Sequence, residues 1–477
     1  MFKDDTTAQF PPAAEDDWRA LVAKTLRDQP FESLTAATPE GLPVAPLYSA
    51  VNTPRPLNFT LRPFDADRPW DLRVLLSHPD PARANAELLR DLEGGAASAV
   101  VRIDPAGETG VAVGSADDLA RVLDGVVLEL APIALDAGFM GPRAADWLGV
   151  VAKASPSAKL LFHLDPLSAF AETGASPGPI AAHVAAAGAT AARLAQTYPQ
   201  ASLFLASGRV AHEAGGGDVG ELAFATATAL AYAKAQAQAG RSIADAFAGI
   251  TLGLAVDGDY FAAIAKLRAA RAIWARLTAA CGCETAPRIE ARSSRRMLAA
   301  QDAWTNMLRL TAAGVGAAVG GADAVMLGCF TDALGLPTAF GRRQSRNAQL
   351  VLMEEAYLGR VVDPAAGSGY VEALTDEMAR AAWAAFQAIE AQGGIVAALT
   401  SGHVAAEVAR ARASRDAAGA PKILGVTVFP PTVPQPVEIE QPRRRAVSAP
   451  SSALPGPDSA CPALTPVRFA ASYEAAQ

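Results

Sequence analysis

Few places in the 477-residue sequence carry residue types that could do chemistry. His212 stands beside Glu213, and a neighbouring carboxylate can raise an imidazole pKa and make an acid/base pair; a hydrogen-bonded loop pair is the preferred reading. Arg292, Arg295 and Arg296 could hold a phosphate or carboxylate, and a solvated or interface-pairing role suits them equally well. The run GGGDVG at 215–220 satisfies G-x-G-x-x-G ahead of a helix. A dinucleotide site, however, needs the first glycine at a strand end and an acidic residue closing the next strand, and none occurs there before Asp257. Cys281 and Cys283 lack a second pair at ligand spacing and read as a helix end with two thiols. The five histidines are scattered, so no metal site is expected.

Catalytic or not, such residues need elements to hold them. From about residue 71, β-rich apolar runs alternate with alanine-rich helical stretches. The runs fall at 72–76, 99–103, 126–130, 160–164, 202–206, 250–256, 288–291 and 324–327. Helical patterns occupy 81–92, 144–154, 180–198, 221–239, 260–280 and 298–319. Continuous apolar strands imply a sheet buried on both faces, and parallel strands need crossovers of this length. The sequence predicts an α/β fold, a (β/α)₈ barrel over 71–420, rather than a doubly wound open sheet. Further helices are expected at 344–357, 372–390 and 403–415, and a short strand at 422–429. Residues 1–70 read as an N-terminal arm, and the Pro-, Ser- and Ala-rich stretch 421–477, with Arg443, Arg444 and Arg445, as a disordered tail.

Composition narrows the function classes. A formal charge of −8 argues against a general nucleic-acid binder. With 51% hydrophobic residues and no apolar run of membrane-spanning length, a folded, cytoplasmic protein without a membrane segment is expected. The N-terminus lacks a signal-peptide layout, and four cysteines are no disulfide framework.

The run DPAAGSG at 363–369 looks like the glycine loop of adenine-type methyltransferases, but no motif for holding a target base accompanies it. Other residues explain it better. LRAARAIW (267–274), AQDAWTNMLR (300–309), FTDALGLPTAF (330–340), RNAQ (346–349) and RVVDPAAGSGYVEAL (360–374) resemble motifs of the methylmalonyl-CoA mutase family. WDLR at 70–73, leading into SHPDPARAN at 77–85, makes the small (β) subunit of the bacterial heterodimeric enzyme the best match. The resemblance is dense from about 202 to 394 and thinner upstream.

The resemblance implies a (β/α)₈ barrel and an adenosylcobalamin-dependent isomerase that interconverts (R)-methylmalonyl-CoA and succinyl-CoA, a step of propionate metabolism. Catalytic members read S-G-Y-H-M-Q-E-A-G after strand five, where this chain has SGRVAHEAG at 207–215. The Tyr-His pair that contacts the acyl group is thus Arg209-Val210, followed by His212 and Glu213. The H-S-Q-T-S-G-W channel stretch becomes EARSSRR at 290–296, so arginines such as Arg292 would fill the CoA tunnel and Glu290 would repel an acidic ligand. The H-T-N-S after strand eight becomes Met326-Leu-Gly-Cys329. No arginine stands near Glu172-Thr173 to pair the substrate carboxylate, and no Asp-x-His-x-x-Gly motif supplies a cobalt ligand.

These departures lead to the expectation of a small, non-catalytic subunit with a vestigial pocket and no cobalamin-binding domain. Adenosylcobalamin and the acyl-CoA substrate would bind the large (α) catalytic subunit, its partner in a heterodimer. Two alternatives remain open from sequence: an active barrel using another chain's cobalamin domain, and a free-standing acyl-CoA-binding or scaffold barrel.

Overall fold

The computed structural model describes residues 14–475 apart from 28, 50–52, 56, 58, 60, 61, 64, 66 and 434. Residues 1–13 of the expected arm and 476–477 of the expected tail lie outside the described residues. Eight parallel strands close into a barrel: β1 Asp71–Leu76, β2 Ser98–Arg102, β3 Ile133–Asp136, β4 Leu161–Leu164, β5 Ser202–Ser207, β6 Ile250–Val256, β7 Arg288–Ser293 and β8 Ala324–Met326. Each pairs with its neighbour in sequence, and β8 closes on β1 with Ala324 opposite Asp71.

Every residue of β5 and β6 is buried, as continuous apolar strands should be when helices cover the outside and side chains fill the inside. The helices that carry the argument are α1 Pro81–Glu93, α2 Asp218–Gln238, α3 Tyr260–Ala280, α4 Ala339–Leu350, α5 Gly369–Ala391 and α6 His403–Ala417. An ordinary barrel helix buries one stripe, yet α2 and α3 are buried on most of their faces. The reason is α5, which packs across both and buries their outer faces. Inside, Phe204 of β5 stacks on Tyr232 of α2 with ring centroids 4.4 Å apart, and burying such a phenylalanine contributes about 2 kcal/mol.

Several expectations need correction. The third strand is Ile133–Asp136; residues 126–130 form a turn in which Leu130 is 75% exposed. Two β-branched valines made that run look like a strand, but it follows the helix Ala116–Val122 and Gly125, whose φ of 76° turns the chain. The helix expected at 298–319 starts only at Asn306, whose side chain bonds back to Ala299 and holds the preceding turn. Residues 422–429 form a turn closed by a Leu424–Val428 bridge.

The largest correction concerns the tail, which is laid around the C-terminal rim of the barrel. Ile439–Glu440 pairs with Leu336–Pro337 after β8, and Arg445 meets Asp80 after β1 at 2.6 Å. Arg444 pairs Glu108 at 2.5 Å, and Val447 N–H donates to Pro105 after β2. Ser459–Ala460 pairs with Ala175–Ser176 after β4, Val467 N–H donates to Glu213 O after β5, and Phe469 N–H donates to Arg296 O after β7. A Pro- and Ser-rich segment cannot build a core of its own, but here rim carbonyls satisfy its backbone and rim glycines admit it. A Cβ on Gly107, Gly114 or Gly178 would come within 2.2, 2.1 and 2.4 Å of the tail carbonyls of Arg445, Ser448 and Leu454.

The described part of the arm lies against the outside of the barrel. Glu40 reaches the N-terminus of α2, and its carboxylate accepts from Asp218 N–H and Val219 N–H, each at 2.9 Å. That placement settles the GGGDVG run. The point where a dinucleotide phosphate would sit holds Glu40, whose Oε1 is 2.0 Å from a Cβ placed on Gly217.

Candidate functional site

A chain of charges crosses the interior of the barrel. Arg73 of β1 donates to Glu290 of β7 at 2.6 Å and to Ser98 of β2 at 2.8 Å, and pairs with Asp71. Glu290 also takes Arg292 Nε at 2.7 Å. Arg292 lies 3.6 Å from Asp136 of β3, which Arg102 of β2 contacts at 3.2 Å. Beside these charges, Met326 of β8 packs with Val100 and Ala134 in a small apolar cluster inside the barrel. These side chains alternate along their strands and point inward, as barrel strands require.

The electrostatics follow from burial and pairing. Burial would push the Glu290 carboxyl up, but Arg292 and Arg73 hold it well below the usual carboxylate range. Burial likewise works against Asp136, which Arg102 and Arg292 bring down to about 2. His163 at the end of β4 is pushed down to about 3 by burial and by Arg73, Arg292 and Arg209, so its imidazole is neutral. The expectation that Glu290 repels an acidic ligand is thus corrected: its charge is taken up by two arginines. Of the arginines in 290–296 expected to fill the tunnel, Arg292 points into the barrel, where it is joined by Arg73, which the sequence did not single out as a channel residue.

The remaining candidates separate. Arg292, Arg295 and Arg296 do not converge on one ligand. Arg295 points outward to Asp332 O, and Arg296 binds His212 O, Gly216 O and the Asp257 carboxylate. Val210 is buried in the apolar core. His212 does not face Glu213: its Nδ1 is 2.9 Å from Glu221, while Glu213 accepts from Arg295 N–H. The two residues thus form neither an acid/base pair nor a hydrogen-bonded loop pair with each other, and both His212 ring nitrogens are buried without a hydrogen bond.

His212, Asp218 and Glu221 present three ligand atoms within 4.8 Å of one another, a grouping that sequence spacing did not suggest. The cation they need is already present. Lys266 of α3 places its ammonium 2.8 Å from Asp218 and 2.7 Å from Glu221. Burial opposes that charge, but the two carboxylates raise the lysine above its ordinary value. Burial, Arg296 and Lys266 together hold His212 well below the usual imidazole range.

Lys266 directly precedes the run at 267–274 that carried the family likeness, and that run acts as a clamp. Arg268 binds Glu372 at 2.7 Å and pairs with Asp363, both within the glycine-containing stretch 360–374. Glu372 also accepts Gly367 N–H at 3.0 Å, so this loop wraps an arginine instead of a cofactor. Arg271 binds Asp323 and Gly321 O at the entry to β8. Trp70 donates to Gln349 of α4 at 3.2 Å, and Arg346 pairs with Asp91 of α1 at 2.6 Å. The recognisable motifs thus tie distant parts of the barrel together and lie away from its axis.

A cobalamin held through a protein histidine needs a ring nitrogen free to reach cobalt. The side chains of His163 and His212 are fully buried. His183 is bonded to Pro177 O, and His78 accepts Asp80 N–H and sits 3.6 Å from Glu440. His403 lies on the outer groove between the arm and α6. His78, His163, His183 and His212 are thus buried or already engaged and do not fit a cobalt-ligand role.

Comparison with known proteins agrees with the architecture. The family model described as methylmalonyl-CoA mutase matches residues 64–452. The chain is 38% identical to a methylmalonyl-CoA mutase small subunit of Streptomyces virginiae, over 94% of this chain and 75% of that protein. It is 33% identical to the small subunit of Propionibacterium freudenreichii subsp. shermanii, over 83% of this chain and 65% of that one. A probable small subunit of Mycobacterium bovis is 36% identical over 85% of this chain and 68% of its own length. With the closed barrel and its motif clamps, these matches show that the chain belongs to the methylmalonyl-CoA mutase family.

Proposed function

We propose that this chain is the small, non-catalytic subunit of an adenosylcobalamin-dependent methylmalonyl-CoA mutase. It pairs with a large subunit that binds the corrin and interconverts (R)-methylmalonyl-CoA and succinyl-CoA. The observation that carries this reading is the buried Arg73–Glu290–Arg292 chain, which occupies the axis an acyl-CoA would have to thread. Val210 supports it, since an aliphatic side chain cannot donate a hydrogen bond to a thioester carbonyl.

When bound, adenosylcobalamin supplies the radical that rearranges the substrate. No residue of this chain is assigned a step in that chemistry. Its residues stabilise a barrel, and its surface would stabilise a partner. Among the described residues no helix is long and apolar enough to cross a membrane.

Co-expression with a mutase large subunit tests the reading. A stable pair should form, and the double change Arg209→Tyr with Val210→His should leave turnover by the pair unchanged within about twofold. Turnover by the chain alone, or loss of pair activity in that variant without loss of assembly, would sink it.

A further inference from the structure

Outside the barrel, the arm, α2, α5 and α6 bound a cavity of about 520 Å³ that the subunit role does not use. Its walls are apolar and mostly small: Leu42 from the arm, Ala223 from α2, Ala385 and Ile389 from α5, and Val408 and Ala411 from α6. Gly220 of α2 lines it as well. This glycine stands in a helix with a negative φ, and a Cβ placed on it would meet nothing within 4 Å. Neither the backbone nor a close neighbour therefore requires glycine, although alanine suits a helix better. What glycine leaves at 220 is space inside the cavity.

The polar side chains of the lining are almost all engaged. Glu40 accepts from Asp218 N–H and Val219 N–H, Glu407 pairs with Arg410 at 2.6 Å, and Ser414 donates to Pro39 O at 3.3 Å. Half-buried His403 is left without a hydrogen-bond or ion-pair partner among the described residues. The cavity thus presents one free polar group on a surface that is otherwise apolar or self-paired. Such walls give water few partners, and an alkyl chain gains by leaving water for them. A single polar group then fixes which way round the molecule lies.

We propose that this cavity binds a small straight-chain amphiphile, its alkyl chain over Gly220 and its one polar head, a hydroxyl or carboxylate, hydrogen-bonded to His403. Glu40 holds arm residues 39–42 against α2, so the arm is one wall of the site and an occupant ties it to the barrel. The site is built from helices and arm outside the strands, so this inference goes beyond the subunit role.

Titration calorimetry of the full chain tests it, with 1-octanol and sodium octanoate as separate probes. Saturable binding at one per chain is expected for at least one of them, and the tighter probe identifies the head group. Gly220→Leu should weaken binding about tenfold or more, because the new side chain fills the space the alkyl chain needs. Ala411→Leu, from α6, should do the same, and an unfolding scan checks that both variants fold. His403→Ala should weaken binding about fivefold, the scale of one hydrogen bond. Saturation should also slow proteolysis within residues 27–45 in the parent chain and not in Gly220→Leu. No saturable binding of either probe, or saturable binding that Gly220→Leu and His403→Ala leave unchanged, would overturn the proposal. The titration does not read pairing with a large subunit, so its failure leaves the subunit role standing.

Discussion

Glu290 and Arg73 meet at 2.6 Å inside the barrel, from strands β7 and β1 that flank β8. Both side chains are nearly inaccessible, at 0 and 6%. A buried pair of this kind is a weak stabiliser in itself, but removing one member strands the other. Glu290→Ala should therefore cost about 3 kcal/mol in urea unfolding, with Arg73 left only Asp71 and Arg292 only the more distant Asp136. Replacing Arg73, Glu290 and Arg292 together by Met, Leu and Met should recover most of that loss. If the triple variant is no more stable than the single one, packing rather than charge governs the axis.

Glu40 gives the arm a pH dependence. Burial and the nearby Asp218 raise its carboxyl from the ordinary 4.5 to about 7, although two backbone N–H groups favour the ion. The docked state therefore holds its proton more tightly than the free arm does. Docking should be strongest below about pH 4.5 and weaken as pH rises through about 7. Limited proteolysis within residues 27–45 should speed up across that window and lose the trend in Glu40→Gln.

Lys266→Ala should convert a salt-bridge cluster into a metal site. Without the ammonium, buried Glu221 and half-buried Asp218 sit beside His212 with no lysine to pair them, and stability should fall by about 3 kcal/mol. Added zinc should restore part of the lost thermal stability in this variant. An equal zinc effect in the parent chain would show that Lys266 does not occupy the cation position.

The tail should be a seated element, protected from hydrogen exchange at Leu454 and Cys461, whose N–H groups bond Pro177 O and Gly174 O at 3.0 and 2.8 Å. Gly178 has a φ of 98° and lies against the Leu454 carbonyl, so Gly178→Val should raise exchange at both amides at least tenfold. Parent-chain exchange at free-peptide rates would show the tail unseated.

How much of this was legible in the sequence depended on whether one local signal decided it. Seven of the eight strands stood out as apolar runs because both sheet faces are buried. The third was misplaced because Val126 and Val127 mimic a strand more strongly than the four-residue Ile133–Asp136 does. The tail was misread because its order comes from carbonyls and glycines hundreds of residues away, which composition does not display. At the site, Arg292 and Glu290 were recognisable as intruders on the axis, but their neutralising partner Arg73 was not, since pairing across β8 is a property of register. The cluster around Lys266 was visible only as a family motif; its role as a clamp needed the positions of Asp218, Glu221 and His212.

The most direct test of the non-catalytic subunit role is gel filtration of the chain with its large subunit and adenosylcobalamin, reading corrin absorbance, protein mass and turnover across the same peaks. One corrin per pair, with turnover confined to the pair and a colourless, inactive peak for this chain alone, is the expected result. A lone chain that carries corrin and interconverts methylmalonyl-CoA and succinyl-CoA, or a pair with two working sites, would contradict it.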